Sequence, residues 1–479
     1  MIGRSDPNAG VGRTERYPVD RSPVELPAHP VARWSTRRYV VIAAFCVALI
    51  GVLGLYANNE RVLSPYDEQQ HLDYALKAGG LHLPADNERL GQDAMRETAC
   101  RGIDTAGLVV PECDSDAFDP ATFPDLGYNT AAGALPGYYL PTGVLGGFIE
   151  AATPVSSPLL AIRIVSAIWF ALGVAVFFAL GRDFGSTVLQ SAIVATLLAA
   201  TPVIFTAATK ATPDSMLFLT GGLVLLAATR WQQGRIGLWA PAAAATLAML
   251  VDRSNLLALV VAGAFILTPL FTNQSWQRPR WPDRGQPIDA TSAGTLLLAV
   301  FGMAILLTEF AVPALRELLT GSSGALTVDL PRFLNQARPP FSRSVFLGSF
   351  PNMVSPVAQG YLPDLAEDET YRSLTALVNW LVIGGAFGTA AWASARSVQR
   401  RLGAATATVM VLAGPMLSTG QWLLGGLYFT LPARYGLPMM PALGVTLALS
   451  IRGRALTVVI GGIATIQFAL FAYRVVSQA

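Results

Sequence analysis

Charge is scarce in this chain. Only 13% of its 479 residues are Asp, Glu, Lys or Arg, while 52% are hydrophobic; a soluble domain carries about 25% charged residues. That deficit excludes an ordinary soluble globular protein and leaves a chain whose surface meets lipid. Lysine is almost missing: Lys77 and Lys210 stand alone, and the rest of the positive charge is arginine. The net charge of +2 says little as a total, and no nucleic-acid partner is expected. Three cysteines leave room for one pair. Cys46 lies inside an apolar run and reads as packing. Cys100 and Cys113 share a polar stretch, where spacing alone leaves a disulfide and two free thiols both open. There is no internal repeat, which removes the inverted-repeat argument for a transporter.

What is present is a series of long apolar runs. A membrane span needs about 20 apolar residues. Candidate spans lie near 39–57, 157–180, 187–208, 214–230, 238–251, 254–272, 292–313, 373–395, 402–421, 431–450 and 455–473. The fold class expected is therefore an all-α polytopic membrane protein of about eleven transmembrane helices. Arginines fix the expected orientation. Arg37 and Arg38 precede the first span; Arg182, Arg230, Arg235, Arg278, Arg400, Arg401, Arg452 and Arg454 fall in connections that an eleven-span count puts on one side. The N-terminus is then cytoplasmic and the C-terminus extracytoplasmic, in a bacterial inner membrane.

The expected organisation follows. Residues 1–38 are a polar, cytoplasmic, disordered tail, and the first span is an uncleaved anchor. The transmembrane domain occupies 39–475, with large extracytoplasmic loops at 58–156 and 314–372. The first loop is acidic: between Asn58 and Tyr128 it has fourteen Asp or Glu against five Lys or Arg. Loops of this length in a compact protein are functional or disordered.

The remaining polar residues near span ends all fall on the outer side. Asp67, Glu68 and His71 follow the first span in Ser64-Pro65-Tyr66-Asp67-Glu68-Gln69-Gln70-His71. Lys210 and Asp214 lie in the turn before the fourth span, Asp252 and Arg253 between the fifth and sixth, and Arg434 and Tyr435 at the start of the tenth. Ionisable residues at a membrane boundary are costly and mark function. Carboxylates with arginines on one face suit a phosphate-bearing lipid substrate and an acid–base step. Structural readings compete. Ser64-x-x-Asp67 with Pro65 reads as a helix cap, Asp214 as a cap of the fourth span, and Asp252 and Arg253 as a self-neutralising turn. Asp67, His71 and Tyr74 share one helix face. Glu68-x-x-His71 occurs in di-metal bundles, but only with further Glu residues on facing helices, and no such set is present, so His71 reads as a carboxylate's hydrogen-bond partner. Arg434 has no acid near it in sequence and needs a distant partner or an anionic ligand.

Four motifs in order resemble the GT-C membrane glycosyltransferases, most of all an uncharacterised bacterial branch of predicted polytopic proteins. They are Pro65-Tyr66-Asp67-Glu68-Gln69-Gln70-His71, Pro136-Gly137-Tyr138-Tyr139, Thr212-Pro213-Asp214 and Ala433-Arg434-Tyr435-Gly436-Leu437-Pro438, and the likeness spans roughly residues 39–475. Thr212 and Ala433 depart from the family's Asn and Gly without removing an ionisable group. The resemblance implies a GT-C-like bundle and an inverting glycosyltransferase. Its donor would be a polyprenyl-phosphate sugar and its acceptor a glycan, lipid or protein hydroxyl, for envelope glycan synthesis. By that analogy Asp67 is the general base, Glu68 the alternative base, and His71 and Asp214 orient them. Arg434 with Tyr435, Arg253 and Lys210 hold the donor. Relatives differ in their use of a divalent metal, so no cofactor is assigned. The competing functional readings are a lipid or sugar flippase and a non-catalytic envelope scaffold of the same fold.

Overall fold

In the computed structural model, residues 35–60, 62–65, 67–85, 88–103, 110–115, 117–272, 290–312, 369–394, 397–425 and 433–477 are described, with a few single positions between 314 and 349. Most of the expected tail at 1–38 and of the loop at 314–372 lies outside the described residues.

Among the described residues the chain is helical and has no strand beyond two isolated bridges. All eleven apolar runs form helix: α1 (Thr36–Asn59), α5 (Pro158–Phe184), α6 (Val188–Ala199) with α7 (Pro202–Thr209), α8 (Asp214–Gln232), α9 (Trp239–Val251), α10 (Leu256–Thr272), α11 (Ala290–Leu306), α12 (Glu369–Trp392), α13 (Val398–Gly425), α14 (Met440–Ser450) and α15 (Gly453–Ser477). Six helices in the described residues are by themselves long and apolar enough to cross a bilayer, and α6 with α7 makes a seventh if counted as one bent span. Helices such as α9 and α14, with 13 and 11 residues, fall short of the roughly 20 residues a span requires. The chain is a multi-pass membrane protein.

Local chemistry explains the boundaries. Ser157 caps α5, its side chain accepting from the Leu160 N–H at 3.2 Å, with Pro158 in the first helical position. Thr187 and Gln190 form a reciprocal capping box on α6. The run at 187–208 does not continue straight, because Pro202 forces the preceding Thr201 into extended backbone; α6 and α7 meet at 79°. The break leaves a buried carbonyl at Ala200. Tyr371 Oη of α12 donates to it at 2.8 Å and Gln467 Nε2 of α15 at 3.1 Å, as a break inside a bundle requires.

The first large loop is structured where it is described. It contains α2 (Glu68–Gly79), α3 (Gln92–Arg101) and α4 (Tyr139–Ala152). Cys100 and Cys113 are bonded, so of the two states open to the sequence the disulfide is the one found; Cys46 is a free thiol donating to the Ala171 carbonyl. The far side of α2 anchors the loop: Asp73 accepts from Gly91 N and from Asn129 Nδ2, both at 2.7 Å, and pairs with Lys77 at 2.8 Å. Helices α2 and α4 cross so closely that a Cβ on Gly143 would meet the Ala75 carbonyl and Gly79 backbone. Trp169 of α5 then ties α4 down by donating to Thr142 Oγ1 at 2.9 Å. At the other end of α5, Asp183 is enclosed by Arg182, Arg230 and Arg235 at 3.4, 2.8 and 3.2 Å. Three of the arginines used to orient the chain therefore meet in space.

Candidate active site

Residues from four distant segments meet at the other end of the bundle. Asp67 precedes the first turn of α2, with φ of 58°, a left-handed conformation that Asp and Asn tolerate better than most. The capping reading of Asp67 is not what the structure has: its side chain makes no cap hydrogen bond. The task falls to its neighbour, since Glu68 Oε2 accepts from the Ser64 N–H at 2.7 Å. Asp67 remains exposed while Glu68, one residue on, is fully buried.

His71 lies one turn into α2, its N–H bonded to the Asp67 carbonyl at 3.0 Å. Its Nδ1 is 2.7 Å from Tyr139 Oη, and Tyr139 stacks on Tyr74 with centroids 3.8 Å apart. On the face that they share with Asp67, His71 and Tyr74 are thus covered by the tyrosine of the second motif. Burial holds the imidazole far below its usual range, at about 3, with the charge of Arg434 lowering it further and Glu68 opposing. His71 is a neutral imidazole at physiological pH. The Asp67 carboxyl is raised by the protein around it; Arg434 pulls it back and Asp125 raises it.

Asp214 is the first residue of α8, behind Pro213 at the N-cap, so its carboxylate lies in the first turn, where the helix dipole favours it as the capping reading expects. Arg434 reaches it from the 3₁₀ turn Ala433–Met439: Nη1 lies 3.9 Å from Asp214 Oδ2, and the guanidinium sits 5.6 Å from the Tyr435 ring centroid, within cation–π range. The distant acid that Arg434 required is Asp214, and its charge also acts on Asp67 and His71. The turn can approach α8 because position 221 is glycine; a Cβ there would collide with the Pro438 carbonyl.

Three other expected residues are held by partners. Glu68 is sealed in the core, where both its oxygens meet the Arg163 guanidinium at 2.8 and 2.9 Å and Oε1 also accepts from Ala211 N at 2.8 Å. Burial would raise its carboxyl, but Arg163 and then Lys210 outweigh that and hold it at about 2. Lys210 is buried and ion-paired with Glu60. Arg253 pairs with Glu309 at 2.7 Å rather than with Asp252, whose side chain instead accepts from Ser254 N at 2.7 Å. The Arg253–Asn255 turn still packs against the turn bearing Arg434. Among the described residues no group of three or more His, Cys, Asp or Glu side chains is placed to hold a metal ion.

Two participants escaped the sequence reading. Tyr139 stood in a quoted motif without a role. Arg163 interrupts an apolar run near its start, and a charge inside that run was the signal that marks it.

No protein family and no curated protein matches the chain by sequence. Among solved structures, ArnT from Cupriavidus metallidurans bound to undecaprenyl phosphate is similar, with a TM-score of 0.50 and 16% identity over 91% of this chain and 64% of that one. The apo state of the same protein gives 0.47 and 16% over 86% of this chain and 60% of that one. Arabinofuranosyltransferase AftD from Mycobacteria gives 0.49 and 14% over 94% and 27%. The chain therefore spans less than two thirds of the length of each. The match to lipid-bound ArnT shows that the fold is the GT-C fold expected from the motifs.

Proposed function

We propose, taking the GT-C fold as the premise, that this chain is a membrane glycosyltransferase that moves a sugar from a polyprenyl-phosphate donor to an acceptor hydroxyl. The observation that carries the reading is the position of Arg434, beside Asp214 and close enough to act on Asp67 and His71. Two carboxylates, one arginine and a neutral histidine form a group suited to splitting a sugar–phosphate bond.

In this reading Asp67 takes the proton from the acceptor hydroxyl. The acceptor oxygen attacks the anomeric carbon from the face opposite the phosphate. The carbon–oxygen bond to phosphate breaks, its electrons leave with the polyprenyl phosphate, and the sugar carbon inverts. Arg434 meets the phosphate charge, a role suited to a guanidinium that stays ionised and binds oxygens bidentately. A base is most useful when its pKa approaches the working pH, and the upward displacement of Asp67 is in that direction. Glu68, enclosed and held ionised by Arg163, fits a structural place better than the base role. Undecaprenyl phosphate bound to ArnT supports a polyprenyl-phosphate donor here. The arginine pattern supports a site on the extracytoplasmic face of the inner membrane, with the N-terminus inside and the C-terminus outside.

Reconstitution in vesicles with a panel of radiolabelled polyprenyl-phosphate sugars tests this. Transfer of label to an acceptor is expected, with a loss of about 10²- to 10⁴-fold in Asp67→Asn. Wild-type transfer by that variant sinks the catalytic assignment. Movement of intact labelled lipid into sealed vesicles, without a new covalent bond, favours a flippase.

A further inference from the structure

Arg163 is a large charged side chain with no exposed surface, five residues after the first residue of α5. A charge there is expensive unless every donor is matched. Its Nε and Nη2 grip the two Glu68 oxygens at 2.8 and 2.9 Å. Nη1 donates to the Glu60 carbonyl at 2.7 Å and Nη2 to the Val62 carbonyl at 2.9 Å. Glu68 in turn accepts from Ser64 N at 2.7 Å and from Ala211 N at 2.8 Å. The Lys210–Glu60 ion pair ties the same two strands of chain together again.

These bonds fall on two short segments. One runs from Glu60 to Glu68 and delivers Asp67. The other runs from Lys210 and Ala211 to Asp214. Neither site carboxylate touches Arg163, yet both hang from backbone that the guanidinium and its carboxylate hold. We propose that Arg163, acting through Glu68, is a positioning residue that sets the separation of Asp67 from Asp214. The proposal deepens the transferase reading and rests on it for its kinetic consequence, but its geometric content stands apart from catalysis.

The geometric content is read with spin labels at positions 67 and 214 in a Cys46→Ser background that keeps the Cys100–Cys113 bond. Arg163→Lys, which keeps the charge and loses the two-pronged grip, is expected to widen the distribution of label separations. Glu68→Asp, which shortens the carboxylate by one methylene, is expected to do the same. An unchanged distribution in either folded variant overturns the proposal. Kinetics supply the second readout, in chains with Asp67 and Asp214 intact. A misplacement of about 1 Å costs about 10²-fold in rate, so kcat is expected to fall by that order with donor KM nearly unchanged. A purely structural role predicts a lower melting temperature with wild-type kcat in whatever remains folded, and that result also overturns it. If neither variant folds, the pair is a folding element and the positioning role is withdrawn. Absence of sugar transfer by the unsubstituted protein alongside widened label separations in the variants defeats the transferase reading while leaving the positioning role intact.

Discussion

Arg434 Nη1 lies 3.9 Å from Asp214 Oδ2, joining the start of α8 to a turn near the far end of the chain. At that distance the contact is an ion pair without a tight hydrogen bond. The geometry suits a guanidinium that shares its charge between a carboxylate and an anionic ligand.

Replacement of Arg434 follows from that geometry. Arg434→Gln removes the charge that pairs with Asp214 and acts on Asp67. Hydrogen bonds to charged groups are worth about 1.5–3 kcal/mol, so a loss of roughly 10- to 100-fold in donor affinity is expected. Arg434→Lys recovers part of it, since lysine keeps the charge but not the bidentate fork. Titration of polyprenyl phosphate against purified protein measures this; equal affinity in wild type and Arg434→Gln would remove Arg434 from the donor site.

The pH dependence separates Asp67 from His71. Turnover needs Asp67 ionised, so activity is expected to rise with pH through an acid limb displaced above the ordinary 3.8 of an aspartate. His71 sits at about 3, against an ordinary 6.5, and contributes no inflection near neutrality. An inflection near 6.5 that disappears in His71→Gln is the outcome that contradicts this. For stability the sign is fixed by proton binding. Between 6.5 and 3 the unfolded chain carries a proton on His71 that the folded chain does not. Stability gained from His71 is therefore present above 6.5 and lost as pH falls toward 3, a slope that His71→Gln should flatten in pH-dependent unfolding.

Gly221 is tested by a single methyl group. An added Cβ meets the Pro438 carbonyl, and overpacking of this kind costs about 1–3 kcal/mol. The turn holding Arg434 is the part most able to yield. Gly221→Ala is thus expected to lower the melting temperature by a few degrees and weaken donor binding more than it alters the acid limb of the rate profile. Wild-type affinity in Gly221→Ala would mean that the turn is not seated through this contact.

The Cys100–Cys113 bond closes a short loop. By chain entropy a loop of about 15 residues is worth about 3 kcal/mol. Cys100→Ser with Cys113→Ser is expected to speed protease cleavage between α3 and residue 113 while leaving the transmembrane helices intact. Maleimide added to intact cells should label neither cysteine until a reductant is supplied. Labelling without reductant would contradict the bond.

The helices were legible because the information is local. Apolar runs of helical length, Pro158 and Pro202 at helix starts and the Thr187–Gln190 box act over a few residues, and every apolar run identified is helical. Whether each run crosses the membrane was less legible, since α6 and α7 bend at Thr201-Pro202 and α9 and α14 are short. Inside the first loop the helix face carrying Asp67, His71 and Tyr74 was legible, but α3 and α4 were not, nor was what holds α2 in place. Helix α2 mixes polar and apolar positions and is held by Tyr139, Asn129 and Arg163, none of them its neighbours in sequence.

Among the site residues the sequence could nominate but not sort. Asp67 and Glu68 are adjacent carboxylates of nearly equal chemistry; one is exposed and the other sealed around Arg163. Lys210 and Arg253 carry the right charge for a phosphate, yet Glu60 and Glu309 hold them. By itself the sequence determined which segments leave water, because hydrophobicity and helix signals belong to each residue and its near neighbours. Only the tertiary structure decided which charges are spent on one another and which, like Asp67, stay exposed. An ion pair is a property of two side chains brought together from distant parts of the chain, and no local pattern records it.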